Sequence, residues 1–457
     1  PIEGVGMTRV RPTGAHHEVG INDMFFSTTD ERGVIQESNN VFIRLSRYSR
    51  DQLAGAPHNI IRHPCMPGGA FYAMWNTLHA GKPFVAYVHN LAKDGSQYDV
   101  LATVTPLKAG GYLSVRMRAC CTDIFNAASS IYEQVRELED GYISQGCNRR
   151  EAAEKGAGNI IEKLNGAGFP SYDEFQWTVL PAEVMRREAQ VDGKPPRRDT
   201  ATGELRIIHD AVHSVYDELN QWMGELERLG ELSTQLKNAG EKINQELDTT
   251  GRLTAQIEVL NRESGARYED ILMPLRVWVQ MRGIISAKIV SVVDGIAALD
   301  RTGAETRFGV ALARLQTTMM ANFVAELIDG EADEHSAASI CMLAQAIRDG
   351  VEAMQGQTME HRRQAEAVET AIKSVISLME IPQQLITDWQ AVSQRQLPSD
   401  LTELLRLVSG SIEGATIAIA NLKELVTNIG QLSRGFDIST IIGKIDQVER
   451  ETSVGNL

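Results

Sequence analysis

The densest chemistry in the chain sits in one short stretch, PHNIIRHPCMPGGAFYAMW, from Pro57 to Trp75. It carries His58, Arg62, His63, Cys65 and Trp75. An imidazole can donate a hydrogen bond or ligate a metal, and a guanidinium grips phosphate or carboxylate with two parallel N–H groups. An indole offers a flat face for stacking. Together these side chains suit a cavity for a flat, negatively charged ligand. His58 and His63 are five residues apart and do not share a helix face well, and Pro64 and Pro67 exclude a continuous helix. The stretch therefore reads as a shaped loop or broken helix. The histidine spacing is not that of a zinc site. Taken alone, such a cluster is compatible with a structural role as well as with ligand binding.

The elements around it belong to an α+β domain. Short β-prone runs (MFFSTTD, VIQES, FVAYVHN, YDVLATVTP, YLSVRMRA) alternate with turn signals. Lys93-Asp94-Gly95 reads as a hairpin turn because glycine readily adopts positive φ, and Gly110-Gly111 makes the next turn. These runs predict a five-stranded antiparallel sheet with short helices in the middle of the domain, over NNVFIRLSRYS, RDQLAG and GGAFYAMWNTLHAG. Residues 1–21 form an N-terminal extension, 22–122 the sheet domain and 123–205 connecting helices and a linker. Within the last, 164–204 reads as a hinge or linker because of its Gly and Pro clusters.

From residue 206 to 457 the pattern is helical. Ile208, Val212, Val215, Leu219, Trp222, Leu226, Leu229, Ser233, Leu236, Gly240, Ile243 and Leu247 follow an a/d seam. A second seam runs from Leu401 to Ile429. The two predict a coiled-coil-rich antiparallel hairpin that pairs as a homodimer or higher assembly, or alternatively helices of an ordinary bundle. Pro274, Pro382, Pro398 and the acidic DGEADEHS predict that the middle breaks into several shorter helices.

Composition narrows the function classes. The net charge of −15 is uneven, with residues 1–122 at +3 and the remainder at −18. An acidic body lacks the clustered cations of a nucleic-acid groove. No run reaches the ~18 uninterrupted apolar residues of a membrane span, and the first residues lack the apolar core of a signal peptide, so a cytoplasmic location is expected. Five cysteines at irregular spacing suggest neither a disulfide framework nor a zinc site. No Gly-rich phosphate loop, nucleophile elbow or paired-carboxylate signature is present, so no enzyme is expected.

One resemblance sharpens the reading. Ser27-Thr28-Thr29-Asp30, Gly33, Asn40, Phe42, Arg47-Tyr48-Ser49, Leu53, Gly55 and Pro57-His58-Asn59 match a known pattern. So do Arg62-His63-Pro64, Met66-Pro67, Phe71, Met74-Trp75, Leu78, Gly81, Pro83, Asn90, Lys93 and Gly95. Residues 22–120 resemble the PAS domain of bacterial aerotaxis receptors, which binds FAD non-covalently and reports redox or oxygen status. The resemblance implies a cofactor-binding set of His58, Asn59, Arg62, His63, Cys65, Trp75 and Asn90. Three positions depart from the family pattern: Cys65 replaces an aspartate, Phe84 a tryptophan and Asp99 an aromatic. A thiol or imidazole there would suit haem iron, so haem b is the alternative ligand, and a ligand-free domain the next.

The resemblance also implies that the helical half signals to a chemotaxis kinase and its adaptor. In residues 257–283, Leu260-Asn261 and Ala266-Arg267 echo the chemoreceptor tip, whose core string is not intact. A dimeric, assembling or partner-binding output is therefore expected.

Overall fold

The structure is a computed structural model, and it describes residues 10–190, 193–264, 269–331, 336–393, 402–432 and 437–453. The chain divides into two compact units. The first comprises residues 1–223, 307–354 and 437–457, and the second residues 224–306 and 355–436.

The first unit contains the expected sheet. Its strands are β1 (Phe25–Thr29), β2 (Ile35–Ser38), β3 (Phe84–Leu91), β4 (Gln97–Pro106) and β5 (Tyr112–Arg118), in the order β2-β1-β5-β4-β3. All pairs are antiparallel. Both predicted turns form. Gly95 has φ 85°, and a Cβ on Gly111 would fall 2.2 Å from the Thr29 carbonyl oxygen, so only glycine fits there. The chain between β2 and β3 forms α1 (Asn40–Ser46), α2 (Arg50–Leu53), a 3-10 turn (His58–Ile61) and α3 (Gly68–His79). Asn39 caps α1 by accepting from the Phe42 N–H, and Arg47 ends it in the left-handed region.

Because side chains alternate across a strand, each sheet face has its own packing layer. The inner face meets α1–α3. Phe25, Ile35, Phe42, Leu45, Tyr98 and Val100 form one apolar cluster there, and Leu78, Phe84 and Ala86 another. Residues of the N-terminal extension join this domain: Val19 is buried in the first cluster, and His17 bonds the β4 backbone at Gln97.

Three helices follow, α4 (Thr122–Ser144), α5 (Arg149–Gly166) and α6 (Tyr172–Glu188): α4 and α6 meet outer-face residues of β3, and α5 packs against α3 and α4. Of the stretch 164–204, read as a hinge or linker, Tyr172–Glu188 is helix and residues 193–202 are in neither helix nor strand. Gly166, Gly168 and Pro170 mark only a tight turn, and Ser171 then caps α6 by accepting from the Glu174 N–H. The helix α6 finishes the free edge of β3. The Val85 N–H donates to Gln176 (3.2 Å), and its carbonyl accepts from the Tyr172 hydroxyl (2.9 Å).

Four long helices follow: α7 (Gly203–Ser264), α8 (Glu269–Asp329), α9 (Ser336–Ser393) and α10 (Thr402–Leu432), then α11 (Ile438–Ser453). The expected break-up of the middle is thus corrected. Pro274 and Pro382 lie inside α8 and α9, whose packing outweighs the lost hydrogen bonds. The acidic stretch does mark a connection, with α8 ending at Asp329 and Gly330 at φ 74°. Pro398 and Ala266-Arg267 lie outside the described residues.

In the second unit, Leu232 and Leu236 of α7 pack with Ile289 and Val292 of α8, Ile372 and Val375 of α9, and Ile419 and Leu422 of α10. A Cβ on Gly240 would lie 3.2 Å from Val293, which brings α7 close to α8. Described residues of both seams are therefore buried in one chain's own four-helix bundle.

Candidate ligand-binding site

The inner face of the sheet carries a row of small and charged residues. Ala86 and Ala102 lie opposite each other, Ala102 opposite Arg116, and Arg116 opposite Phe25. Both alanines are short and lie buried in the apolar clusters beneath the helices. Arg116 is only 3 % exposed. Its two terminal nitrogens donate to the Ser27 hydroxyl (3.2 Å each), one of them also to His58 Nε2, and Phe25 and Phe42 flank it at 5.5 and 5.2 Å. Among the described residues no carboxylate pairs with it. Burial depresses its pKa to about 10.

An arginine can only donate, so His58 Nε2 must accept and the proton resides on Nδ1. Burial, then the adjacent Arg116 cation, holds the His58 pKa well below the usual imidazole value. His58 is thus a neutral acceptor, and its ring lies over Phe42 at 6.3 Å.

Three further groups on this face are buried without a hydrogen-bond partner: Asn90 Nδ2, Tyr98 OH and Ser114 Oγ. Asn90 and Tyr98 lie directly opposite each other on β3 and β4. Buried polar groups are almost always paired, and leaving one unpaired costs about 1–3 kcal/mol. Three unpaired polar groups and a cation without a described counter-charge therefore share one face.

The other residues singled out in the sequence are dispersed. Trp75 belongs to α3, packs in the Leu78–Phe84–Ala86 cluster and meets Tyr112 edge-on at 5.5 Å, so it forms a wall. Arg62 staples its own loop, donating to the Met66 carbonyl (2.9 Å) with its guanidinium 4.0 Å from the Phe71 ring centre. Asn59 is exposed.

His63 and Cys65 pair with each other, Nδ1 to Sγ at 2.7 Å, and face the His89–Asp99 pair on the outer side of the sheet. Burial, then Asp99, pushes the Cys65 thiol up to about 11, so it stays protonated. Asp99 also accepts from His16 (2.9 Å). Of the expected set, the structure brings His58 and Asn90 to the inner floor and Trp75 beside it. Asn59, His63 and Cys65 do not reach that floor, because the loop crosses the β3 edge, where His63 N–H bonds the His89 carbonyl.

Arg116, Tyr98 and Ser114 escape a reading of motifs. In YLSVRMR, Ser114 and Arg116 alternate with buried Leu113, Val115 and Met117, a pattern that reads as a water-facing side. Only the covering of both faces buries them.

Buried carboxylates tie this domain to the surrounding helices of the first unit. Glu139 of α4 accepts from Gly68 and Gly69 N–H (2.7 Å each) at the start of α3. A Cβ on Gly69 would sit 2.4 Å from the α5 backbone, so α3 and α5 touch there. Glu183 of α6 accepts from the Tyr87 hydroxyl (2.6 Å) and from the Cys120 and Cys121 N–H groups (2.6 and 3.0 Å). Glu188 of α6 pairs with Arg314 of α8, both buried.

A cavity of about 690 Å³ elsewhere in this unit is lined by Lys108, Arg348, Asp349 and Glu449, among others. Its charges already neutralise one another: Lys108 meets Asp349 at 2.8 Å and Arg348 meets Glu449 at 2.7 Å. Among the described residues no three His, Cys, Asp or Glu converge as a metal site, and no helix is long and apolar enough to cross a membrane.

Residues 22–125 match the family described as PAS domain. Over 102 residues the chain is 42 % identical to the aerotaxis receptor of Escherichia coli (strain K12), a match that covers 21 % of this chain and 20 % of that protein. The chain thus spans about a fifth of the length of the curated relative it matches. Among solved structures, the PAS domain of a Colwellia psychrerythraea protein aligns at 22 % identity over 21 % of this chain and 86 % of that one, with a TM-score of 0.19. A fungal LOV-domain photoreceptor aligns at 21 % identity over 24 % of this chain and 83 % of that one, also with a TM-score of 0.19. The sheet order, the helices on its inner face and the matched span agree: residues 22–125 are a PAS domain, similar in sequence to that of the aerotaxis receptor.

Proposed function

We propose that this chain is a cytoplasmic signal transducer whose PAS domain holds FAD non-covalently between the inner sheet face and α1–α3. It reports redox or oxygen status through the helical region and performs no catalysis. The observation that carries the reading is the set of buried, unpaired polar groups on that face: Asn90, Tyr98, Ser114 and the cation of Arg116. A flavin ring is flat and has carbonyl acceptors and an N–H donor along one edge, which suits that floor. Asn90 would hold a ring carbonyl, Arg116 with its Ser27 and His58 partners an acceptor oxygen, and Trp75 would exclude water. When bound, the flavin supplies a centre that accepts and releases electrons.

Haem fits less well. His58 Nε2 is engaged by Arg116, and the Cys65 thiol is protonated and faces the other side of the sheet. The resemblance to aerotaxis receptors supports flavin as well.

Changes at the floor have a direct path outward. Glu139 grips the first turn of α3, and Glu183 and Glu188 connect the sheet through α6 to α8. The helices α7, α8 and α9 continue from the first unit into the second. Partners are assigned on the same resemblance: a homodimer or larger assembly, and chemotaxis-type kinase and adaptor proteins.

An absorbance spectrum of the full chain, purified without added cofactor and recorded before and after dithionite, tests the reading. Visible flavin bands that bleach on reduction support it. A Soret band moves the assignment to haem, and absence of a chromophore after reconstitution with both sinks it.

A further inference from the structure

We infer that Arg116 is the anion-receiving residue of the PAS pocket: the bound ligand presents a negatively charged or strongly accepting oxygen to its guanidinium in the middle of the sheet. This deepens the proposed function and rests on its premise that the inner face holds a ligand.

The inference comes from the surroundings of Arg116. A buried cation is ordinarily neutralised, because removing a guanidinium from water costs several kcal/mol or more. Other buried arginines in the first unit obey this rule or pair with backbone oxygens. Arg314 has Glu188, and Arg187 donates to the Gly193 (2.6 Å) and Ile21 (3.2 Å) carbonyls. Arg116 has only a hydroxyl and a neutral imidazole. Neither carries charge, and both leave the guanidinium with unused N–H groups.

The neighbours across the sheet, Ala102 and Ala86, are too short to reach over it. His58 adds no second cation beside the guanidinium: its Nε2 accepts from Arg116, so the positive charge at this point of the sheet is that of Arg116 alone among the two. The nearest polar groups toward β3, Tyr98 OH and Asn90 Nδ2, are themselves unpaired and continue the binding strip away from the charge. The ligand that fits carries one anionic acceptor and, beside it, further polar edge atoms on a flat body. Three sources share that chemistry: a ring carbonyl or imide, a phosphate, and a propionate.

The test uses the full chain as wild type, Arg116→Met and Arg116→Lys, each stripped of chromophore. Each is then titrated with FAD, riboflavin and haemin, and its ligand-free melting temperature is recorded. Arg116→Met should bind about ten- to a hundredfold more weakly, with partial recovery in Arg116→Lys. The ligand-free melting temperature of Arg116→Met should stay level or rise, since an unneutralised buried charge is removed.

Equal losses for FAD and riboflavin assign the oxygen to the ring, a loss for FAD alone to the phosphates, and a loss for haemin to a propionate. If wild type and Arg116→Met bind equally, the inference is overturned and the sensor reading survives. If wild type binds none of the three, the sensor reading falls and the melting temperature decides the inference. A fall in Arg116→Met then overturns it, and a level or raised value supports it.

Discussion

The two faces of the PAS sheet use similar residue types to opposite ends. On the outer face the polar groups are spoken for: Tyr87 has Glu183, His89 has Asp99, and the Thr103 hydroxyl donates to the Val115 carbonyl. On the inner face Asn90 Nδ2, Tyr98 OH and Ser114 Oγ have no hydrogen-bond partner, and among the described residues Arg116 has no counter-charge. Both faces bury polar groups. Burial alone therefore does not set the two faces apart; the pairing of their buried groups does. The outer face is a finished structural joint to α4 and α6, and the inner face is where the proposed ligand would add the missing partners.

Mutations on each face can break that contrast. The largest effect is expected at Glu183, which is fully buried and holds three donors. Glu183→Ala should cost about 3–5 kcal/mol, because three donors lose their acceptor at once, measured by urea unfolding of the full chain. A change under about 1 kcal/mol would mean that the outer joint is not structural.

Acid should act next. Burial lowers the His58 pKa well below 6.5, and it lowers that of His213 to about 4, with His209 and Arg197 adding to the shift. Between the folded and unfolded values only the unfolded chain binds the proton, so stability is present above pH ~6.5 and is lost as pH falls below it. The slope should reach about 1.4 kcal/mol per pH unit for each histidine. Unfolding curves at several pH values below neutrality check this, and His58→Gln should shrink the slope. A slope unchanged by that substitution would remove His58 from the account.

On the inner face the sign reverses. Tyr98→Phe deletes an unpaired hydroxyl and should leave the ligand-free protein unchanged or stabilise it by up to about 1 kcal/mol, while weakening ligand retention. A loss of stability would show that the hydroxyl has a structural partner. The smallest effect is expected at Cys65→Ser. With the thiol protonated and outside the floor, ligand retention should not change, and stability should move by less than about 1 kcal/mol. Loss of chromophore in that variant would return Cys65 to the site.

Much of the PAS domain is legible in the sequence because its signals are local. Strand runs, the turns at Gly95 and Gly111 and the helices over Asn40–Ser46 and Gly68–His79 depend on neighbours within a few residues. The helical half is legible as helix for the same reason, but not as a bundle. An a/d seam states that one side of a helix is buried and does not state against what, so the same residues fit a partner chain or the chain's own α8 and α9.

The sequence by itself determined that a PAS domain is present and that long helices follow it. Only the tertiary structure decided that α6 closes the β3 edge, that His63 and Cys65 turn to the outer side, and that Arg116 is buried without an anion. The reason is physical: strand alternation fixes which residues share a face, but whether a face meets water, a helix or a ligand depends on segments far away in the chain.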